Sequence, residues 1–239
     1  MLDIKKALTV PFSDELWTKK IGIAALLYLP AFIASLQFNE KHPVTGFFYA
    51  LASFIITGYA ILAANNEINN KKIILPQWNF LNCIINSLKL WLVNLGWLII
   101  LMPFISLLFF ISAFFYSFII IASILGFFLV ILYVLVVNIA QSLFLEKLEI
   151  RDAFNFKNII EITKKYSGKY FFYVVIFLIM AIIYGIIAGV MTATFSFLIN
   201  KAFGFYIAYV INIFLIISSF NLLAQVIKEV RKEDTKDTL

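Results

Sequence analysis

The sequence predicts an all-α polytopic membrane bundle: six transmembrane helices paired as three hairpins, each hairpin preceded by a cytoplasmic amphipathic helix. Three observations predict it. The 239 residues are 63% hydrophobic and 13% charged, against about 25% charged in soluble domains, so a water-soluble fold of this size cannot hide the apolar surface. Six apolar stretches each reach the roughly 20 residues that one crossing needs. Seventeen of the nineteen Lys and Arg residues fall on one side of these stretches when the sides are taken alternately, the asymmetry that orients membrane proteins.

The spans are expected near 21–38, 46–64, 91–113, 117–139, 170–192 and 203–225. The apolar run from Trp91 to Gln141 is twice one bilayer's requirement, and Ser112, Tyr116 and Ser117 mark the expected turn within it. Lys5, Lys6, Lys19 and Lys20 precede span one. Lys71, Lys72 and Lys89 follow span two, and Lys147, Arg151, Lys157, Lys164, Lys165 and Lys169 follow span four. Lys228, Arg231, Lys232 and Lys236 occupy the tail, leaving Lys41 and Lys201 for the other face. A five-span count would put the basic tail outside, so six spans with both termini cytoplasmic are expected, in the cell membrane. No small-residue cleavage site follows the first apolar stretch, and span one is expected to stay in place.

The segments 3–12, 76–90 and 152–167 read as amphipathic. Leu81, Ile84, Ile85, Leu88 and Trp91 share one helical face, opposite Asn79, Asn82, Asn86 and Lys89. Phe156, Ile159 and Ile160 similarly oppose Asn158, Glu161, Lys164 and Lys165. Asn79-Phe80-x-Asn82 returns as Asn155-Phe156-x-Asn158 at an offset of 76 residues. Such segments either lie in the headgroup layer or form the wet ends of the spans. Ser13, Asp14 and Glu15 suit a helix start. Trp17, Pro76, Trp78 and Trp91 are expected as interface anchors. Pro30 and Pro103 lie inside spans and predict kinks. Ala181, Gly185, Gly189 and Ala193 form a small-residue stripe that permits close helix packing.

Chemistry is sparse. No ionisable residue falls inside any expected span, which argues against proton relays, voltage sensors and intramembrane proteolysis. His42 stands alone in a short loop, Cys83 has no partner cysteine, and no glycine-rich phosphate loop occurs. No cofactor and no metal site is expected. Asn94, Asn138 and Asn212 either pair between helices or line a polar path for a neutral substrate. Gln141, Thr192, Thr194, Asn221 and Gln225 are the other polar groups near span ends, while Asn65, Asn66, Asn69 and Asn70 read as a polar helix end and turn.

The segment PFSDELWTKKIGIAALLYLP at 11–30, Gly58-Tyr59, Leu75-Pro76-x-Trp78 and Asp152-Ala153-Phe154 together resemble the domain-of-unknown-function 4013 family of small prokaryotic multi-pass membrane proteins. Gln77 and Asn86-Ser87 depart from the acidic residues and glycine that the family tends to carry there. The resemblance implies the six-span fold and no assigned activity.

Three function classes follow. One is a non-enzymatic permease-like or accessory transport component. The second is a membrane scaffold or assembly factor that binds partner membrane or cytoplasmic proteins, or anionic lipid, through its amphipathic helices. A lipid-modifying enzyme comes third, because its candidate carboxylates (Glu67, Glu146, Glu149 and Asp152) sit in charge-balanced loops. Nucleic acid is not expected as a partner, and oligomeric state is not encoded in any pattern read here.

Overall fold

In the computed structural model the described residues are 3–12, 14–38, 42–114 and 119–237, and they form helices and short connections without a strand. Ser13, Lys41, Tyr116 and Ser117 lie outside them. The helices are α1 (Ile4–Thr9), α2 (Trp17–Leu26), α3 (Leu29–Phe38), α4 (Pro43–Ile68), α5 (Phe80–Phe114), α6 (Ile119–Lys147), α7 (Phe156–Leu198) and α8 (Lys201–Asp237). Taking α2 with α3 as one, six are long and apolar enough to cross a membrane. The chain divides into two compact units, Met1–Ser87 with Phe172–Leu239, and Leu88–Phe171.

Local chemistry sets where each helix begins. Asp3 caps α1 through the Lys6 N–H at 2.8 Å. His42 accepts the Val44 N–H at its Nδ1, and Pro43 takes the first turn of α4, where its missing N–H costs nothing. Asn79 and Asn155 each accept the N–H three residues ahead, at 3.1 and 3.2 Å, and so cap α5 and α7. The repeated Asn-Phe-x-Asn letters are thus the same helix start used twice. Asn200 caps α8 in the same way. At the other ends, Asn70 after α4 and Leu148 after α6 both take the left-handed conformation that terminates helices, at φ 52 and 59.

Pro30 interrupts its span. The chain leaves α2 at Leu27 and resumes as α3 at Leu29, because proline has no N–H and its ring collides with the carbonyl four residues back. The Ala25 carbonyl at this break accepts both the Tyr28 N–H and the Tyr206 hydroxyl, at 3.0 and 3.2 Å, the kind of re-satisfaction that lets proline persist in apolar surroundings. Pro103 lies within α5.

The segments 76–90 and 152–167 read either as helices in the headgroup layer or as the wet ends of their spans. Residues 80–90 and 156–167 run without a break into α5 and α7. No proline intervenes, and a helix once nucleated adds one hydrogen bond per residue. At 35 and 43 residues these helices are about 50 and 65 Å long, well beyond a hydrocarbon layer of about 30 Å.

In the first unit α4 packs along α8 and α3, while α1 and α2 lie on α8. Alanines at 52, 60, 63 and 64 line the buried side of α4, letting neighbours approach closely, and Ile56, Tyr59, Ile213 and Ile217 fill the core. The tightest approach is at Gly58, where a Cβ would overlap the Cys83 backbone carbonyl. One turn away the Ser87 hydroxyl donates to the Phe54 carbonyl. The stripe 181–193 is different at its two glycines: among the described residues no atom lies within 4 Å of a Cβ built on Gly185 or Gly189. α7 and α8 instead meet at Gly204, against Thr192 and Ser196.

In the second unit the turn Asp152–Phe154 folds against α5 and α6. Trp97 donates its indole N–H to the Ala153 carbonyl at 3.1 Å and stacks on Phe154, whose ring lies where a Cβ on Gly96 would sit. Lys89 donates to the Leu148 carbonyl at 3.0 Å.

Replacing Gly58 with Ala forces α4 from Cys83 and is expected to cost about 3 kcal/mol, the upper range for overpacking. Gly126→Ala, which meets open space, is expected to change stability by under about 0.5 kcal/mol. Thermal unfolding of the two variants in detergent measures the contrast.

Candidate functional site

The residues read from the sequence as an amphipathic start, a Gly-Tyr pair and a Leu-Pro-x-Trp turn converge at one end of the first unit. Lys20 is the hub. Its side chain is 8% exposed, and its ammonium donates to Asp14 Oδ2 at 2.5 Å and to the Leu75 carbonyl at 2.6 Å. Asp14 Oδ1 accepts the Leu16 N–H at 2.8 Å and sets the turn that enters α2. The Lys20 hydrogen bond, with help from Leu16, holds the Asp14 carboxyl below its ordinary value of 3.8, against the opposing push of burial.

From Leu75 the chain is fastened residue by residue. The Tyr59 hydroxyl donates to the Pro76 carbonyl at 3.0 Å, and the Tyr59 ring stacks on Trp78 with centroids 4.1 Å apart. The Trp78 indole N–H returns to the Lys20 carbonyl at 2.9 Å. Asn66 donates to the Ile74 carbonyl at 3.1 Å. Trp17 packs edge-on against Phe12, whereas Trp91 is exposed. Among the four expected anchors, Pro76 and Trp78 are therefore parts of an internal clasp.

Glu67 forms a second polar knot. It is 4% exposed, and Oε1 accepts both Lys6 and Lys228 at 2.6 and 3.0 Å. Gln225 exchanges two hydrogen bonds with the Asp3 backbone, at 2.8 and 3.1 Å, and also donates to Asn221. These bonds bind the start of the chain to the second half of α8. Glu67 was read as a loop carboxylate, but here it closes α4 as a buried counter-ion. Asp152 lies 3.3 Å from Lys147. His42 caps α4 and stacks on Phe38. Among the described residues no cluster of three His, Cys, Asp or Glu could hold a metal.

The three asparagines of the polar path divide between the two units. Asn138 donates to its own helix at Val134, and Asn94 accepts from Gln141 at 2.9 Å; both belong to the second unit. Asn212 belongs to the first, where it bonds Tyr28, whose hydroxyl also pairs with Ser53 at 3.0 Å. Tyr28 and Tyr49 pack on Tyr209 at centroid distances of 5.5 and 3.6 Å. Asn212 and Tyr209 line a cavity of about 210 Å³ whose opposite wall is Ala181, Tyr184, Gly185 and Ala188. Two stripe residues thus border this cavity.

Sequence reasoning missed Lys20, Glu67 and the tyrosine group as partners. The available signal was position: Lys20 and Glu67 are charges directly abutting apolar runs, where a charge must find a counter-ion or remain wet.

The family model for proteins of unknown function DUF4013 matches residues 44–195, well over half of the chain. The chain belongs to the DUF4013 family. The match takes in Gly58-Tyr59, the Leu75–Trp78 turn and Asp152–Phe154, while Asp14 and Lys20 precede it. No curated protein and no solved structure matches the chain.

Because the folded state holds the Asp14 pKa down, its ion pair contributes stability above about pH 3.8, and that contribution is lost as pH falls through the lower folded value. Wild type and Asp14→Asn are therefore expected to differ in Tm at neutral pH and to converge below pH 3.8. Parallel melts from pH 7 to pH 3 follow the convergence.

Proposed function

We propose that this DUF4013 protein is a non-catalytic scaffold or assembly component of the cell membrane, holding lipid or partner proteins at its cytoplasmic end. The observation that carries this reading is the orientation of the first turns of α5. Cys83, Asn86 and Ser87 are buried, while Leu81, Ile84, Ile85 and Leu88 face outward. Water would penalise that arrangement by roughly 25 cal/mol for each Å² left exposed. Hydrocarbon or an apolar partner surface removes the penalty.

Further features support the same reading. The polar groups at this end are spent on holding the chain together: Lys20 on Leu75, Trp78 on Lys20, Glu67 on two lysines. The Asp3–Gln225 bonds draw the first residues and the second half of α8 together, which favours a common compartment for both termini. Lys5, Lys19, Lys71, Lys72, Arg231 and Lys232 add positive charge suited to a cytoplasmic surface with anionic lipid.

Transport is the second reading, and the Asn212 cavity is what favours it: a polar amide and two tyrosines beside an opening between two long helices. A carrier needs a path for its substrate, and the bonds of Asn94 and Asn138 are local.

Photocrosslinkers at Ile84 and Leu88 in native membranes separate the readings. The scaffold reading expects discrete lipid or protein adducts there, absent at the buried position Asn86, and no solute flux above empty liposomes for the reconstituted protein. Flux that Asn212→Leu abolishes, with no adducts at 84 or 88, would replace it with transport.

A further inference from the structure

A second cavity lies at the polar end of the first unit, beside the Lys20 clasp. Its volume is about 510 Å³, within the usual range for ligand sites, and Asp14, Glu15, Leu16, Lys72, Ile73 and Ile74 line it. One wall is the turn before α2; the other is the segment that follows α4. Asp14 already serves Lys20 and the Leu16 N–H. Glu15 and Lys72 differ: opposite in charge and lining one space, they have neither an ion pair nor a hydrogen bond among the described residues. Two residues of the lining are large and apolar yet open, Leu16 at 58% exposure and Ile73 at 60%.

A ligand that suits this lining carries a positive group, a negative group and an apolar part. We infer that the cavity takes the headgroup of a phospholipid bearing both an ammonium and a phosphate. The ammonium lies toward Glu15 and the phosphate toward Lys72, while the Asp14 charge is already balanced by Lys20. The acyl chains pass over Leu16 and Ile73. A purely anionic headgroup engages Lys72 and leaves Glu15 without a cation. A water-soluble zwitterion gains nothing from Leu16 or Ile73, each of which costs free energy while it faces water. The inference rests on the bilayer reading given above and adds a lipid class to it. Because Glu15 and Lys72 remain hydrated when the cavity is empty, each contact is a modest one, and selectivity comes from engaging both at once.

Native mass spectrometry of the full chain tests this, after titration with phosphatidylethanolamine or chain-matched phosphatidylglycerol and, separately, with soluble glycerophosphoethanolamine. A phosphatidylethanolamine adduct is expected to be retained above that of phosphatidylglycerol, which engages lysines without Glu15, with the soluble headgroup at background. Glu15→Gln and Lys72→Gln are each expected to lower that adduct about fivefold, the scale of one partly exposed ion pair. Lys71→Gln, outside the lining, is expected to leave it unchanged. An adduct indifferent to Glu15→Gln and Lys72→Gln overturns the site, as does equal retention of phosphatidylglycerol. Equal binding of the soluble headgroup overturns the lipid assignment in favour of a water-soluble zwitterion. Extraction of the protein from membranes by alkaline carbonate is a separate outcome: it removes the bilayer reading itself, whereas a protein that resists extraction but shows an indifferent adduct loses only the headgroup site.

Discussion

The buried ammonium of Lys20 is the contact from which the polar end of this protein is organised. A charge withdrawn from water costs several kcal/mol unless its surroundings replace the lost hydration. Asp14 and the Leu75 carbonyl do so, and in doing so they tie the entry of α2 to the segment that leaves α4. With Leu75 fixed, the Pro76 carbonyl faces Tyr59, and Trp78 lies flat on that ring with its N–H turned back to Lys20. Asn79 then starts α5. Beyond the backbone bonds that close α4, a connection without regular structure is held in one shape by side chains, and the next helix inherits its starting direction. Removing one partner of such a pair leaves the other charge buried and uncompensated, so the pair holds this end to a single geometry.

A second constraint is the reversal of the usual distribution of polarity. In the first turns of α5, Asn86 and Ser87 turn inward while Leu81, Ile84, Ile85 and Leu88 turn outward, and α4 packs through alanines and one glycine. In hydrocarbon, apolar side chains gain little by hiding from solvent, so close backbone contact and internal hydrogen bonds decide which helices meet. Glu67 follows the same logic with two lysines on one oxygen.

Much of this was legible in the chain. Composition and charge spacing gave six apolar helices, and the repeated Asn-Phe-x-Asn letters, read only as a repeat, are two helix starts, since capping is a local event decided within four residues. The break before Pro30 is equally local. The partners were not legible. Nothing near Gly58 in sequence announces that Cys83 lies against it, 25 residues on, and nothing near Tyr28 points to Tyr209. Periodicity identified the two faces of α5 but could not say which one looks outward, since that depends on the solvent and on Gly58. Composition left open whether residues 80–90 stand apart from their span for a related reason: a change from polar to apolar composition alters what surrounds a helix without interrupting its hydrogen bonds.

Hydrogen exchange in Lys20→Met, which keeps the length of the side chain and removes its charge, addresses the organising role of Lys20 most directly. The account expects residues 14–20 and 69–79 to lose protection by about tenfold or more while α4 and α8 keep theirs, as for a local unit that opens separately from the core. Unchanged protection across 69–79 would contradict it and make the ammonium a passenger in a loop that other contacts already hold.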